Sequence, residues 1–342
     1  MQYRSCWNIE NACINFNGSV DGGSRFIAFC CEPLGDIPAI AFEETAEQTA
    51  RCFLELRTKM IDLSKAKDKA LCAGCADCTH YKSGEHGRAD GLIHYINLSM
   101  YPAPCQSNCF YCGFNLRGQT KYRSTKEAEQ GYEKLFSMLE YYDEYDLIAK
   151  DARWQISTGE IAIHPYKDRI LDLVKDQEAE FRTNCFIFNE GIAGNLASNP
   201  NSFINLSIDA GTPETWLKVK RVDNFYEVTD NLVSYYMSCT RPGQITLKYI
   251  VLPGVNDNMR DYESLAEIMN ILEVQNLTLS REMGSKYNST SQQRVDLVIA
   301  TAYLAAVLKK SGKTFDFHHG FIEIEREHIL AKCEEIIQAG KV

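Results

Sequence analysis

The sequence predicts an α/β fold in which parallel strands alternate with helices. Three observations support this prediction. From about Gly91 onward, short apolar and β-branched runs alternate with segments whose apolar residues recur every three or four positions. This alternation yields six strand candidates, and no internal repeat, heptad array or low-complexity linker interrupts it. The length of 342 residues suits one large domain with an extension, or two modest domains.

The predicted strands are residues 92–99, 153–157, 180–188, 203–208, 244–252 and 276–280. Between them lie helix signals. Residues 124–127 match a capping box, and Thr212 is predicted as an N-cap with Pro213 at the first helical position. One predicted helix follows each of these two signals. Three further predicted helices occupy residues 166–175, 262–272 and 290–310.

Composition and charge exclude several classes of protein. A formal net charge of −10 argues against binding to nucleic acid or to an anionic membrane surface. Residues 1–17 lack a basic segment followed by an apolar core, and no run reaches the length of a transmembrane helix. Fourteen cysteines without an export signal indicate metal ligation in a reducing compartment, so the expected location is the cytosol.

Three cysteines, Cys105, Cys109 and Cys112, have the spacing C-x3-C-x2-C directly after the first predicted strand. An iron–sulfur cluster normally takes four thiolates, so a loop with three leaves one iron of a [4Fe–4S] cluster open to another ligand. A zinc site would more naturally contain two C-x2-C pairs or Cys/His pairs. A disulfide framework is typical of small secreted chains.

With Tyr111 at the aromatic position, this run resembles the C-x3-C-x-aromatic-C signature of the radical S-adenosylmethionine (SAM) superfamily. The resemblance implies a partial (β/α)6 TIM-type barrel, an oxygen-sensitive [4Fe–4S] cluster held by the three catalytic cysteines, and SAM on the fourth iron. It also implies reductive cleavage of SAM to a 5′-deoxyadenosyl radical that abstracts hydrogen from a substrate carbon. The electron donor would be a reductase, a flavodoxin or a ferredoxin.

Further motifs at strand ends match the superfamily, which is where such barrels keep their reactive residues. The run Ser157-Thr158-Gly159-Glu160 resembles Gly-Gly-Glu, with Thr158 in place of the first glycine. The resemblance implies that Glu160 binds the SAM ammonium and that Gly159 allows close approach of the backbone. A solvated loop carboxylate is the alternative interpretation of Glu160.

A second pair of motifs lies further along the chain. Ser207 and Asp209 resemble a Ser-x-Asp motif, which implies contact with ribose or with a substrate group. Arg221 is a candidate to bind the SAM carboxylate, because a guanidinium group forms bidentate hydrogen bonds with a carboxylate. The alternative interpretation is an exposed base at a helix end. Asn256 lies in a Pro-Gly-x-Asn-Asp-Asn loop and either contacts SAM or caps the next helix.

Residues 1–90 form a predicted cysteine-rich extension to a core of residues 91–320, followed by a C-terminal helix at 321–342. The extension is expected to hold a second [4Fe–4S] cluster, and the alternative is a structural zinc site. The candidate ligands are Cys72, Cys75 and Cys78 with Cys30 or Cys31, and Cys6, Cys13 and Cys52 are alternative fourth ligands.

Other side chains keep two interpretations each. Cys185, Cys239 and Cys333 are candidate hydrogen-atom donors or small buried apolar residues. The pair His318-His319 either lines a substrate pocket or ligates metal, or has one ring packed and one exposed.

The substrate class stays open at the level of sequence. A ribosomal peptide or protein would undergo epimerisation, cross-linking or oxidation, and the alternative is a saccharide or nucleotide-linked sugar. A transfer RNA substrate is disfavoured by the acidic charge. The alternative from another class is a non-catalytic iron–sulfur protein that transfers electrons.

Overall fold

The computed structural model describes residues 4–17, 26–29, 39–65, 81–83, 90–99, 104–112, 126–157, 159–282, 289–318 and 322–342. The predicted α/β class is confirmed, because ten strands form a mostly parallel sheet accompanied by helices. Several predicted site residues lie outside the described residues, and these are Cys30, Cys31, Cys72, Cys75, Cys78, Thr158 and His319.

The chain divides into two compact units, and the first is drawn from residues 1–103, 122–161 and 176–180. Its elements are β1 (Arg4–Cys6), α1 (Trp7–Glu10), β2 (Ile14–Asn17), β3 (Phe26–Ala28), β4 (Ala39–Ala41), α2 (Ala46–Lys65), β5 (Tyr81–Ser83), β6 (Ile93–Ser99), α3 (Lys126–Glu144) and β7 (Ile148–Ser157). Strand order in the main sheet of this unit is β4-β3-β2-β6-β7. Strand β2 runs parallel to β6, and β6 runs parallel to β7.

The boundary between the units falls within β8 (Glu178–Arg182). Drawn from residues 104–121, 162–175 and 181–342, the second unit contains α4 (Lys167–Leu173), α5 (Glu190–Ser198), β9 (Phe203–Ser207), α6 (Pro213–Lys220), α7 (Phe225–Ser238), β10 (Ile245–Ile250), α8 (Met259–Ile271), β11 (Asn276–Ser280), α9 (Ser291–Lys310), β12 (Thr314–Phe317) and α10 (Arg326–Gln338). Strands β9, β10, β11 and β12 are adjacent in that order and parallel.

One face of β9–β11 forms the core of the second unit. Leu206, Leu247 and Leu277 lie side by side in register and are buried. Burial of each such side chain stabilises the fold by roughly 1.5–3 kcal/mol. Successive residues of a strand point to opposite faces, so the row Ser207, Lys248 and Thr278 is half-buried on the other face.

All six predicted strands are present, but the third ends earlier than predicted. Strand β8 stops at Arg182 instead of residue 188. Thr183 Oγ1 accepts a hydrogen bond from Cys185 N at 3.0 Å, and Asn184 Oδ1 accepts one from Phe186 N at 3.0 Å. These side-chain turns compete with the strand ladder, and Cys185 adopts a left-handed φ of 56°. Among the described residues, no helix is long and apolar enough to cross a membrane.

Candidate active site

The cysteine loop, residues 104–112, lies in the second unit. Cys105, Cys109 and Cys112 are all half-buried there. Ser107 Oγ lies 2.9 Å from Cys109 Sγ, and the backbone N–H of Cys112 donates to the carbonyl of Cys109 at 3.2 Å. The loop is therefore turned so that its three thiols are neither sealed in the core nor fully open to water.

Asn184, which follows β8, contacts the cysteine loop directly. Its Nδ2 lies 3.7 Å from Cys105 Sγ and 3.4 Å from Gln106 Oε1. Gln106 Nε2 is buried and has no hydrogen-bond partner among the described residues. Asn184 falls inside the predicted strand 180–188, where no motif marks it as a site residue.

The donor chemistry of the cysteine loop fits an iron–sulfur cluster. Within the described part of the chain, no group of three or more His, Cys, Asp or Glu side chains is arranged to hold a metal ion. A [4Fe–4S] cluster is bound differently from one ion, because its thiolates bind separate irons. Three half-buried thiols on one short loop are the donor type that such a cluster takes.

Asp209 follows β9 and is fully buried. Its backbone has a left-handed φ of 53°, which is uncommon outside glycine. Oδ1 accepts from the N–H of Ile250 at 2.7 Å, and Oδ2 accepts from Lys220 Nζ at 2.6 Å and from the hydroxyl of Tyr111. The carboxylate is thus bound by protein donors, and its contact with a ribose remains a prediction.

Lys220, near the end of α6, is the central residue that sequence reasoning did not select. Its ammonium is buried and lies 2.9 Å from the Tyr111 hydroxyl, 2.6 Å from Asp209 Oδ2 and 2.7 Å from the carbonyl of Ser207. Burial alone would lower the pKa of Lys220, but the Asp209 carboxylate and the nearby cysteine thiols outweigh burial and raise the pKa. The side chain therefore stays charged.

The periodicity of helix α6 predicts that Lys220 lies on its buried face. Trp216, Val219 and Lys220 have the spacing i, i+3, i+4, which places them on one face of a helix. All three are buried in the structure. Arg221, the predicted residue, lies on the exposed C-cap with a φ of 57°, and its guanidinium carbon is 5.6 Å from the centre of the Phe110 ring. Its exposed position matches the alternative interpretation of a base at a helix end.

Tyr111, the aromatic residue of the signature, is joined to this pair. Burial and the Asp209 charge raise the pKa of Tyr111 well above its usual value, so the phenol keeps its proton. Its hydroxyl donates a hydrogen bond to Asp209 and accepts one from Lys220. The aromatic position thus carries a hydroxyl that bonds the cysteine loop to the residues after β9.

Asn256 is fully buried and holds the turn after β10. Its Nδ2 donates to the carbonyls of Asp209 and Ile250, both at 2.9 Å. Its Oδ1 accepts from the N–H of Leu252 at 2.8 Å. The interpretation of Asn256 as a helix cap is wrong, because Asn258 caps α8.

Glu160 and Gly159 belong to the first unit and follow β7. Glu160 is 0% exposed, so its interpretation as a solvated carboxylate is wrong. Gly159 has a left-handed φ of 68°, a conformation in which glycine carries no steric cost. The contact of Glu160 with SAM remains a prediction.

The remaining candidates are mostly packed. Cys185 and Cys333 are fully buried, as their interpretation as small apolar residues predicts. Cys239 is half-buried, and burial raises the pKa of its thiol to about 11. His318 Nδ1 lies 3.0 Å from Ser280 Oγ. Among the alternative auxiliary ligands, Cys6 and Cys13 are buried and Cys52 is half-buried.

No family model and no curated protein matches this sequence. Solved structures of similar fold include SuiB of Streptococcus suis bound to its precursor peptide SuiA, with a TM-score of 0.48 and 11% identity, covering 88% of this chain and 70% of that one. Another similar structure is a radical SAM methyltransferase from Sphaerobacter thermophilus, with a TM-score of 0.42 and 14% identity, covering 63% of each chain.

SuiB has also been solved in complex with S-adenosylmethionine, at a TM-score of 0.45 and 13% identity, covering 86% of this chain and 72% of that one. This chain spans 56% of the length of a further SuiB structure. At such identities the likeness is one of fold.

Proposed function

We propose that this chain is a radical SAM enzyme. Cys105, Cys109 and Cys112 would hold three irons of a [4Fe–4S] cluster and leave the fourth to SAM. When bound, the cluster supplies the electron that cleaves SAM to a 5′-deoxyadenosyl radical, which abstracts hydrogen from a substrate carbon. The observation that supports this function most is the half-buried three-cysteine loop, bonded through Tyr111 to a buried ion pair.

Some residues of the second unit would bind SAM or a cysteine sulfur, and others would hold the cysteine loop in place. Asn184, 3.7 Å from Cys105 Sγ, offers an N–H to that sulfur. Ser207 and Arg221 are the proposed contacts for SAM, because one is half-buried at the end of β9 and the other is an exposed cation stacked on Phe110. Asp209 would support the cysteine loop through the hydroxyl of Tyr111, and Asn256 would support Asp209 through a bond to its carbonyl.

Glu160 and Gly159 are proposed to bind the SAM ammonium and to let the backbone approach it. This assignment rests on the resemblance of residues 157–160 to Gly-Gly-Glu. A buried carboxylate such as Glu160 is stable only with bonded partners, and we propose that the SAM ammonium is one of them.

The proposed substrate is a ribosomal peptide or protein, and a saccharide is the alternative. SuiB, one of the similar structures, is bound to a precursor peptide, which favours the first. A second [4Fe–4S] cluster in the extension, a flavodoxin-like or reductase partner and a cytoplasmic location complete the proposal.

Anaerobic incubation of iron-reconstituted protein with SAM and dithionite tests this function. The wild type should release 5′-deoxyadenosine, and Cys105→Ala should release none. Cys239→Ala is the matched control, because Cys239 is an equally half-buried cysteine outside the loop. Product from Cys105→Ala would refute the assignment, and an intact cluster without product in the wild type would favour an electron-transfer protein.

Iron analysis separates one cluster from two. About four irons per chain indicate a single cluster, and about eight indicate a second one in the extension. Stoichiometric zinc in place of iron would refute the iron–sulfur assignment.

A further inference from the structure

We propose that Lys220 is a positioning residue that fixes the cysteine loop against strand β9. This inference rests on the proposed function only for its effect on a bound cluster. The attachment of the loop to β9 is a property of the metal-free protein and depends on contacts within the second unit.

Lys220 bonds the cysteine loop at two places. Its backbone carbonyl accepts from the N–H of Asn108 at 3.0 Å, and its ammonium donates to the Tyr111 hydroxyl at 2.9 Å. These two loop residues flank Cys109. One residue therefore holds the chain on both sides of the middle cysteine.

The same ammonium also bonds the end of β9. It donates to the carbonyl of Ser207 at 2.7 Å and to Asp209 Oδ2 at 2.6 Å. All three hydrogens of the ammonium thus have acceptors: the last residue of β9, Asp209 just after it, and Tyr111 on the loop. Because β9 is an interior strand with buried neighbours, the loop is attached to a rigid element.

The cost of burying this charge indicates a specific role. An unpaired buried ammonium is strongly destabilising, and a buried ion pair is often no better for stability than apolar residues of similar volume. A methionine packed beside Trp216 would fill the space more simply. What a methionine cannot do is bond the phenol of Tyr111 and place a positive charge near Cys109 and Cys105.

Two roles can therefore be separated by measurement. If Lys220 serves only to stabilise the second unit, its loss should loosen that unit as a whole. If it positions the loop, its loss should loosen residues 104–112 far more than the helices.

Hydrogen exchange of the metal-free protein distinguishes these roles. In Lys220→Met, the exchange of amides in residues 104–112 should accelerate at least about tenfold more than that of α9, which speeds up only through the unpaired Asp209 carboxylate. Lys218→Met is the matched control, because Lys218 lies two residues earlier on α6 and is exposed. It should leave the loop at the wild-type rate.

Tyr111→Phe provides a second, milder variant. It keeps the Lys220–Asp209 ion pair and removes only the hydroxyl that joins the pair to the loop. Faster exchange confined to the loop is expected here too. Wild-type exchange of the loop in Lys220→Met, or an equal rise in the loop and in α9, would overturn the proposal.

The reduction potential of the reconstituted protein provides a readout that a purely structural role would not move. Loss of a positive charge near Cys109 and Cys105 should lower the potential in Lys220→Met and leave it unchanged in Lys218→Met. If the wild type binds no iron, the proposed function fails, while loop exchange still decides the role of Lys220.

Discussion

Gly211 and Asp261 are in direct contact although fifty positions separate them in the sequence. The N–H of Gly211 donates to Asp261 Oδ1 at 2.9 Å, and a β-carbon on Gly211 would lie 2.0 Å from the carbonyl oxygen of Asp261. The first turn of α8 therefore packs directly on the backbone between Asp209 and α6. These two segments carry Asp209 and Lys220, the ion pair that is bonded to Tyr111 of the cysteine loop.

Gly211→Ala should therefore destabilise the protein severely. The added methyl group would overlap the carbonyl of Asp261 and lie 2.6 Å from the N–H of Leu265, both of them backbone atoms of α8. We expect a loss of about 3 kcal/mol or more, measured as a fall in the urea midpoint.

Gly194→Ala is the matched control for this substitution. Gly194 lies in helix α5, is exposed, and has no atom within 4 Å of an added β-carbon. Because alanine favours the helix, a gain of about 0.5–1 kcal/mol is expected there. Equal stability of the two variants would contradict the close packing at Gly211.

Asp261→Asn should lower stability through the hydrogen bonds that its carboxylate accepts. Oδ1 receives the N–H of Thr212 at 2.9 Å as well as that of Gly211, and Oδ2 receives the Tyr249 hydroxyl at 2.7 Å. An amide turns one acceptor into a donor and leaves a buried group unsatisfied, so a loss of about 2–4 kcal/mol is expected. Thermal unfolding measures it, and exposed Asp257→Asn should leave the transition unchanged.

The two asparagines of the loop after β10 should differ in their contributions. Asn258 accepts one hydrogen bond, from Asp261 N at 3.0 Å, so Asn258→Ala should cost about 1 kcal/mol. Asn256 makes three buried hydrogen bonds, so Asn256→Ala should cost more, about 3 kcal/mol. Denaturant titrations of both variants give the comparison, and the reverse order would refute these roles.

His164 should make the stability of the protein sensitive to acid. Burial lowers the pKa of this residue from 6.5 to about 4, so the unfolded chain binds a proton that the folded chain excludes between these values. Its contribution is complete above pH 6.5 and is lost as the pH falls, by about 2 kcal/mol between pH 7 and pH 5.

His164→Gln keeps a side-chain acceptor for the N–H of Tyr166, which lies 3.2 Å from His164 Nδ1, but does not titrate. Its urea midpoint should fall less than that of the wild type between pH 7 and pH 5. Identical pH dependence in the two proteins would contradict the lowered pKa.

The strands of the second unit were predictable because burial alternates along them. Ile245, Leu247 and Tyr249 of β10 are buried, and the residues between them are polar. Strand β12 was not predicted, since Thr-Phe-Asp-Phe is short and forms through pairing with β11. The strand propensity of this segment alone does not predict that pairing, because the pairing is a tertiary contact.

Site residues were predictable where a motif fixes them and harder where packing decides. The three cysteines and Tyr111 follow from spacing. Lys220 was not predicted, because its contacts depend on which face of α6 is buried. Arg221 as a contact for the SAM carboxylate stays a prediction. The hydrogen bond from Asn256 to the carbonyl of Asp209 joins positions 47 residues apart, and no local sequence pattern predicts it.

The parallel pairing of β2 with β6 has a consequence for fragments of this protein. Register joins Ile14 to Ile96 and Phe16 to Leu98, and the side chains of Asn15 and Asn97 are bonded at 2.9 Å. A fragment that starts at Gly91 would lack β2, the parallel neighbour of the buried strand β6. The unpaired edge of β6 would then promote aggregation. A shortened version must therefore retain residues 4–17 to keep this edge of β6 paired.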